Sequence, residues 1–122
     1  MNDETWVKIY RKLVDWEWYK DVPCKTLFIH LILIAQYTKT RHIGLELKAG
    51  ETITGFRSLA NETGLSVQQV RTALKKLEST NDIRITTNPT HTIISLNNWH
   101  KYQSSQRDED RYRENKSYNA FA

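Results

Sequence analysis

The chain has 122 residues, 39% of them apolar and 26% charged, with four Gly and two Pro. That composition predicts one globular domain and excludes a collagen, a low-complexity chain and a coiled-coil rod. Eighteen Lys and Arg against fourteen Asp and Glu give a net charge of +4, which permits a polyanionic partner without demanding one. Cys24 is the only cysteine, so an intramolecular disulfide and a Cys-rich zinc site are excluded, and a reducing, cytoplasmic compartment is the simplest reading. The longest apolar run, Leu31 to Ala35, is far short of the ~20 residues that span a bilayer.

In chain order, Trp6, Ile9, Tyr10 and Leu13 fall at i, i+3, i+4 and i+7 and predict a short helix over Trp6 to Val14. Asp15-Trp16-Glu17-Trp18-Tyr19 alternates polar and aromatic, which predicts an extended segment with Trp16 and Trp18 on one side. Asp21 reads as a helix cap with Pro23 in the first turn, and the helix is expected to reach about Thr38. Its apolar residues from Leu27 to Ala35 wrap nearly all round, so neighbours are expected on several sides. Thr40 to Gly50 reads as a loop and Glu51 to Thr54 as a short strand.

Arg57 to Thr63 predicts a short helix stopped by Gly64. Ser66 caps the next helix, which runs to about Thr80, with Gln69 placed to complete a capping box. Ile83 to Thr87, a turn at Asn88-Pro89-Thr90, and Thr92 to Leu96 predict a β-hairpin. Residues 104–122 are charged and poor in aliphatics, which predicts a frayed helix or a disordered tail after a domain spanning residues 1–103.

Helix, tight turn, helix and hairpin is the order of a winged helix-turn-helix: α+β, mainly helical, with a short strand and a hairpin wing forming a small antiparallel sheet. Ala60 is small enough for two helices to cross, Gly64 tolerates the positive φ of the turn, and Val70 packs back, with Leu59, Leu65 and Leu74 completing a small core. Basic excess peaks in the same window, where residues 57–77 hold four basic groups and one acidic.

At about 100° per residue, Val70, Ala73, Leu74 and Leu77 face inward, leaving Gln68, Thr72 and Lys75 outward, flanked by Gln69, Arg71 and Lys76. Gln can pair with adenine, Arg with guanine, and Thr with phosphate or a thymine methyl, while Lys75 and Lys76 suit phosphates. The candidate DNA-binding residues are therefore Arg57, Ser66, Gln68, Gln69, Arg71, Thr72, Lys75 and Lys76. Against this stands the plain fact that short surface helices are commonly basic and polar. A wing role would fall to Arg84, Asn88, Thr90 and His91, though the hairpin tip carries little charge and serves equally as a cover for the core.

Other constellations read as structural. Asp15 and Glu17 have no cleft partner, the histidines His30, His42, His91 and His100 lack metal-ligand spacing, and Gly50 and Gly55 match no phosphate loop. Cys24 has no base or resolving partner. The chain accordingly reads as a non-enzyme without a cofactor. The aromatics Trp6, Tyr10, Trp16 and Trp18 suggest a second class of function, self-association through the N-terminal segment.

Several stretches resemble the phage-type replisome organisers, the DnaD-like replication proteins. They are Val7 to Leu13, Asp15 to Tyr19, Leu27 to Leu33, Gly64 to Leu74, and the closing Asn98-Trp99-His100-Lys101-Tyr102-Gln103. The resemblance covers about residues 6–103 and implies an N-terminal winged-helix domain of a phage or prophage protein. Its implied partners are double-stranded DNA, a second copy of itself, and replication proteins such as a helicase or its loader. Members of that family continue into a second helical domain, whereas this chain ends about twenty residues after the closing motif. A small transcriptional regulator of the same fold is the other reading, since fold does not separate the two.

Overall fold

The computed structural model describes residues 6–36, 39–42, 44–87, 89 and 91–103. Among them the protein is a small α+β fold with four helices and two small antiparallel sheets, compatible with a winged helix. The helices are α1 (Val22–Ile34), α2 (Phe56–Thr63), α3 (Val67–Ser79) and the short α4 (Trp99–Gln103). Strands β1 (Thr40–His42) and β2 (Leu45–Leu47) form a two-stranded hairpin. Strands β3 (Glu51–Thr54), β4 (Ile83–Thr87) and β5 (Thr92–Leu96) form the second sheet in the order β3-β5-β4. The expected tail at residues 104–122 and the hairpin-tip residues Asn88 and Thr90 lie outside the described residues. No helix among the described residues is long and apolar enough to cross a membrane.

One core joins these elements. Leu27, Phe28, Leu31 and Ile32 of α1 meet Val70, Ala73, Leu74 and Leu77 of α3, with Leu59 from α2 and Ile83, Ile94 and Leu96 from the sheet. Helix α1 begins where expected: Asp21 accepts a hydrogen bond from the Cys24 backbone N–H at 3.1 Å, and Pro23 sits in the first turn.

Four sequence expectations are corrected. Trp6 to Tyr10 is not helical; the segment is rich in aromatic and β-branched residues, poor helix formers. Its backbone is held instead by the Gln103 side chain, which accepts from Lys8 N and donates to Lys8 O, both at 2.8 Å. The apolar spacing there does not mark one buried face, since Trp6 is 61% exposed.

Asp15 to Tyr19 is not extended either. A 3₁₀ turn (Arg11–Asp15) runs into further turns, with Trp16 N, Tyr19 N and Asp21 N each bonded to the carbonyl three residues back. Trp16 and Trp18 therefore have different surroundings. Trp16 is buried, its ring centroid 4.6 Å from that of Phe28. Trp18 is half-buried and donates its indole N–H to Thr80 Oγ1 at 2.9 Å. That Thr80 hydroxyl lies 2.6 Å from Asp82 Oδ2, whose carboxyl burial holds above its ordinary value.

Helix α1 ends at Ile34 rather than near Thr38, because the chain turns into the sheet: Gln36 N donates to Glu51 O, and Gly50 N donates to Gln36 O. It is not enclosed all round, since Leu33 is 56% exposed. Finally, Thr40 to Gly50 contains the β1–β2 hairpin, in which Leu47 is buried while Glu46 faces out.

Gly50 is the position the fold constrains most sharply. Its φ is +87°, and a Cβ there would lie 2.7 Å from Trp99 Cβ and 2.8 Å from Trp99 Cγ. Its carbonyl accepts from Leu96 N at 2.9 Å, so the residue ties the end of β5 to the turn before β3. Gly50→Ala should therefore destabilise the protein by about 3 kcal/mol, combining left-handed strain with overpacking against Trp99. Urea denaturation measures it, and a loss under about 0.5 kcal/mol, the usual size for an unconstrained surface site, would contradict the constraint.

Candidate nucleic-acid interface

The turn between α2 and α3 is fixed by local bonds. Gly64 takes φ +84° and donates its N–H to Ala60 O at 2.9 Å. Thr63 Oγ1 donates to Leu59 O at 2.7 Å and accepts from Leu65 N at 3.2 Å. Ser66 Oγ accepts from Gln69 N at 3.0 Å while Gln69 Oε1 accepts from Ser66 N at 2.9 Å, a complete capping box. These bonds commit Ser66 and the oxygen of Gln69 to the helix start rather than to a ligand.

Val70, Ala73, Leu74 and Leu77 are buried, so α3 presents Gln68, Arg71, Thr72 and Lys75, all exposed. Gln68 Nε2 donates to Thr72 Oγ1 at 3.3 Å. The Arg71 guanidinium lies over the Phe56 ring, 4.8 Å from its centroid. A shallow notch between α2, α3 and β4 is lined by these four residues together with Phe56 and Ile85. Among the described residues, Arg57, Arg71 and Lys75 have no carboxylate partner.

Two charges of the basic window are used elsewhere. Lys76 Nζ donates to Asp21 Oδ2 at 2.7 Å and lies 5.7 Å from the Trp18 ring centroid, so it clasps α3 to the start of α1. Glu62, the acidic residue of that window, meets His30 Nε2 at 2.8 Å on the α1 side. Of the wing residues, Arg84 does not join the α3 face. It lines a polar depression with Glu78, Thr80, Asp82 and Asn97, while Ile85, next along the strand, lines the notch. His91 is half-buried.

Three of the four aromatics expected to mediate self-association serve the fold itself. Trp16 is buried, Trp18 bonds to Thr80, and the Tyr10 hydroxyl donates to Lys101 O at 3.3 Å. Only Trp6 of the four is largely exposed. Among the described residues, no group of three or more His, Cys, Asp or Glu is placed to hold a metal ion. No protein-family model, curated protein or solved structure matches the chain.

Sequence reasoning missed Phe56 and Ile85 as members of this surface. A lone aromatic beside a predicted helix start reads as core, and only the crossing of α2 and α3 brings it under Arg71.

The Asp21–Lys76 pair has a defined pH window. The Lys76 hydrogen bond holds the Asp21 carboxyl below its ordinary 3.8, and the same bond raises Lys76 above its ordinary 10.5. A depressed carboxyl stabilises the fold above its unfolded value and loses that contribution as pH falls through the folded one. A raised ammonium stabilises below its unfolded value and loses that contribution as pH rises through the folded one. The pair is thus fully formed between those two ordinary values. Asp21→Asn keeps the helix cap and removes the charge pairing, whereas Asp21→Ala removes both, so the Ala variant should be less stable than the Asn variant by about 1 kcal/mol. Urea titrations at neutral pH measure this difference. In the same assay the gap between wild type and Asp21→Asn should close in acid, and a gap unchanged there would rule out the ion pair.

Proposed function

We propose that this chain is a winged-helix domain that binds double-stranded DNA, with α3 entering the major groove. The observation that carries the reading is the outward stripe of α3. Gln68, Arg71, Thr72 and Lys75 stand at i, i+3, i+4 and i+7, with no carboxylate among them, on a helix whose opposite face is buried against α1. Gln, Arg and Thr are the side chains that read base edges, and Lys suits a phosphate. A capped, rigid helix start supports the same reading, since the N-terminal turns of a recognition helix meet the bases. Arg57, exposed on α2, would serve as a further phosphate contact.

A place in replication initiation rests on the resemblance of residues 6–103 to phage-type replisome organisers. A transcriptional regulator would use the same face. Self-association through the N-terminal segment is the second reading. It now rests on Trp6, Ile9 and Val14, which are exposed, rather than on Trp16.

Fluorescence anisotropy across a salt series, on duplex and on single-stranded DNA, tests the proposal. Duplex should be preferred. Lys75→Ala should weaken binding to all sequences alike and reduce the salt slope by about 1. Lys76→Ala should lower stability and leave that slope unchanged, because its charge is engaged by Asp21. An Arg71→Ala/Lys75→Ala double variant that binds duplex as wild type does at low salt would overturn the α3 face.

A further inference from the structure

The notch beside α3 holds a feature that DNA affinity alone does not require. Phe56 is the first residue of α2 and remains 37% exposed. Its ring carries the Arg71 guanidinium at 4.8 Å. Arg71 sits in the second turn of α3, on the side facing α2, and Gln68, Thr72 and Lys75 line the same notch.

An arginine on a helix surface ordinarily samples many rotamers, and ordering it against a base costs that freedom. A guanidinium lying on a ring uses its π-face for the contact. Its N–H groups lie in the guanidinium plane and stay available to acceptors. The ring thus restrains the side chain, and among the described residues the Arg71 guanidinium makes no hydrogen bond or ion pair, so its donors stay open. Two parallel N–H groups held at one place match O6 and N7 of guanine in the major groove, the pair that Arg contacts bidentately. A lone phosphate contact gains little from such restraint, because Lys serves as well.

We infer that the Phe56–Arg71 pair is a guanine-reading element, with Arg71 contacting the base and Phe56 acting as a positioning residue. This rests on the DNA-binding reading of α3. Discrimination for guanine at one position, not general affinity, is what the pair supplies. Phe56 touches no DNA group in this scheme, so its removal affects sequence choice through Arg71 alone.

Selection from a randomised duplex pool, followed by anisotropy on the selected site and on its single-base variants, tests this. Wild type should enrich guanine at one position and prefer it over the other bases by roughly tenfold, the size of a bidentate contact. Arg71→Lys should lose that preference while keeping the salt slope. Phe56→Ala should reduce the preference by about two- to fivefold, the size of an exposed cation–π contact. Phe56→Tyr, which keeps the ring, should retain the preference. Circular dichroism checks that each variant is folded at the assay temperature. If Phe56→Ala selects the same guanine as strongly as wild type, the positioning role is overturned while DNA binding stands. If wild type retains no duplex at any salt, the DNA reading falls and this inference falls with it.

Discussion

The close approach of α1 and α3 is the contact on which the rest of this molecule depends. Cys24 and Ala73 are fully buried where the two helices meet, and Cys24 Sγ lies 3.9 Å from the Ala73 carbonyl oxygen. Small side chains at both positions let the backbones come together, and Leu27, Leu31, Val70 and Leu77 interlock around them. Burial, with the Asp21 charge adding to it, pushes the Cys24 thiol up to about 12, so it stays a neutral, compact core group. Asp21 stands three residues before Cys24, and Lys76 three after Ala73. Their ion pair therefore closes the same contact one turn further out. With α3 held this way, one face is committed to the core and the other is fixed in its orientation to solvent. The candidate interface follows from that commitment.

Features whose causes lie within a few residues were legible in the sequence. The Ser66–Gln69 capping box, the left-handed Gly64 and the Asp21 cap each depend on a pattern of a few residues, the β4–β5 hairpin on two adjacent β-rich runs, and each is present. The buried stripe of α3 followed from its period, and the exposed stripe from the same count. What escaped depends on contacts distant along the chain. The N-terminal segment has helical spacing, yet its backbone is claimed by Gln103, 95 residues away. Gly50 reads as an ordinary loop glycine until Trp99 packs against it. Lys76 reads as a phosphate ligand until Asp21, 55 residues earlier, takes its charge. Periodicity alone cannot separate a helix from a pinned extended segment when the competing partner is a side chain at the far end of the domain.

Folding also redistributes the charge that the sequence concentrates. The window from Arg57 to Leu77 carries four basic groups and one acidic, but neither Lys76 nor Glu62 belongs to the outward face. Lys76 turns to Asp21 and Glu62 to His30, both on the α1 side. A linear count of charge locates the region and misstates the surface. Arg71 and Lys75 on α3 and Arg57 on α2 are exposed and have no carboxylate partner among the described residues. Arg84, by contrast, lines a depression with Glu78 and Asp82, where its field is offset.

That small number of cations bears on how such a surface would work. Each phosphate neutralised contributes about 0.9 to the salt slope, so contacts from Lys75 and Arg57, with Arg71 on a base, would give a slope of about 2 and a weak sequence-independent attraction. A protein relying on charge alone would need a longer basic patch than this one has. With so little electrostatic grip, useful affinity for one site must come from base-edge contacts, and these are effective only when their side chains are ordered beforehand. The local bonds on this face do that ordering: Gln68 is bonded to Thr72, and Arg71 lies on Phe56. If α3 does meet DNA, a sparse charge set and a pre-ordered polar stripe would work together, and discrimination between sequences would outweigh non-specific retention.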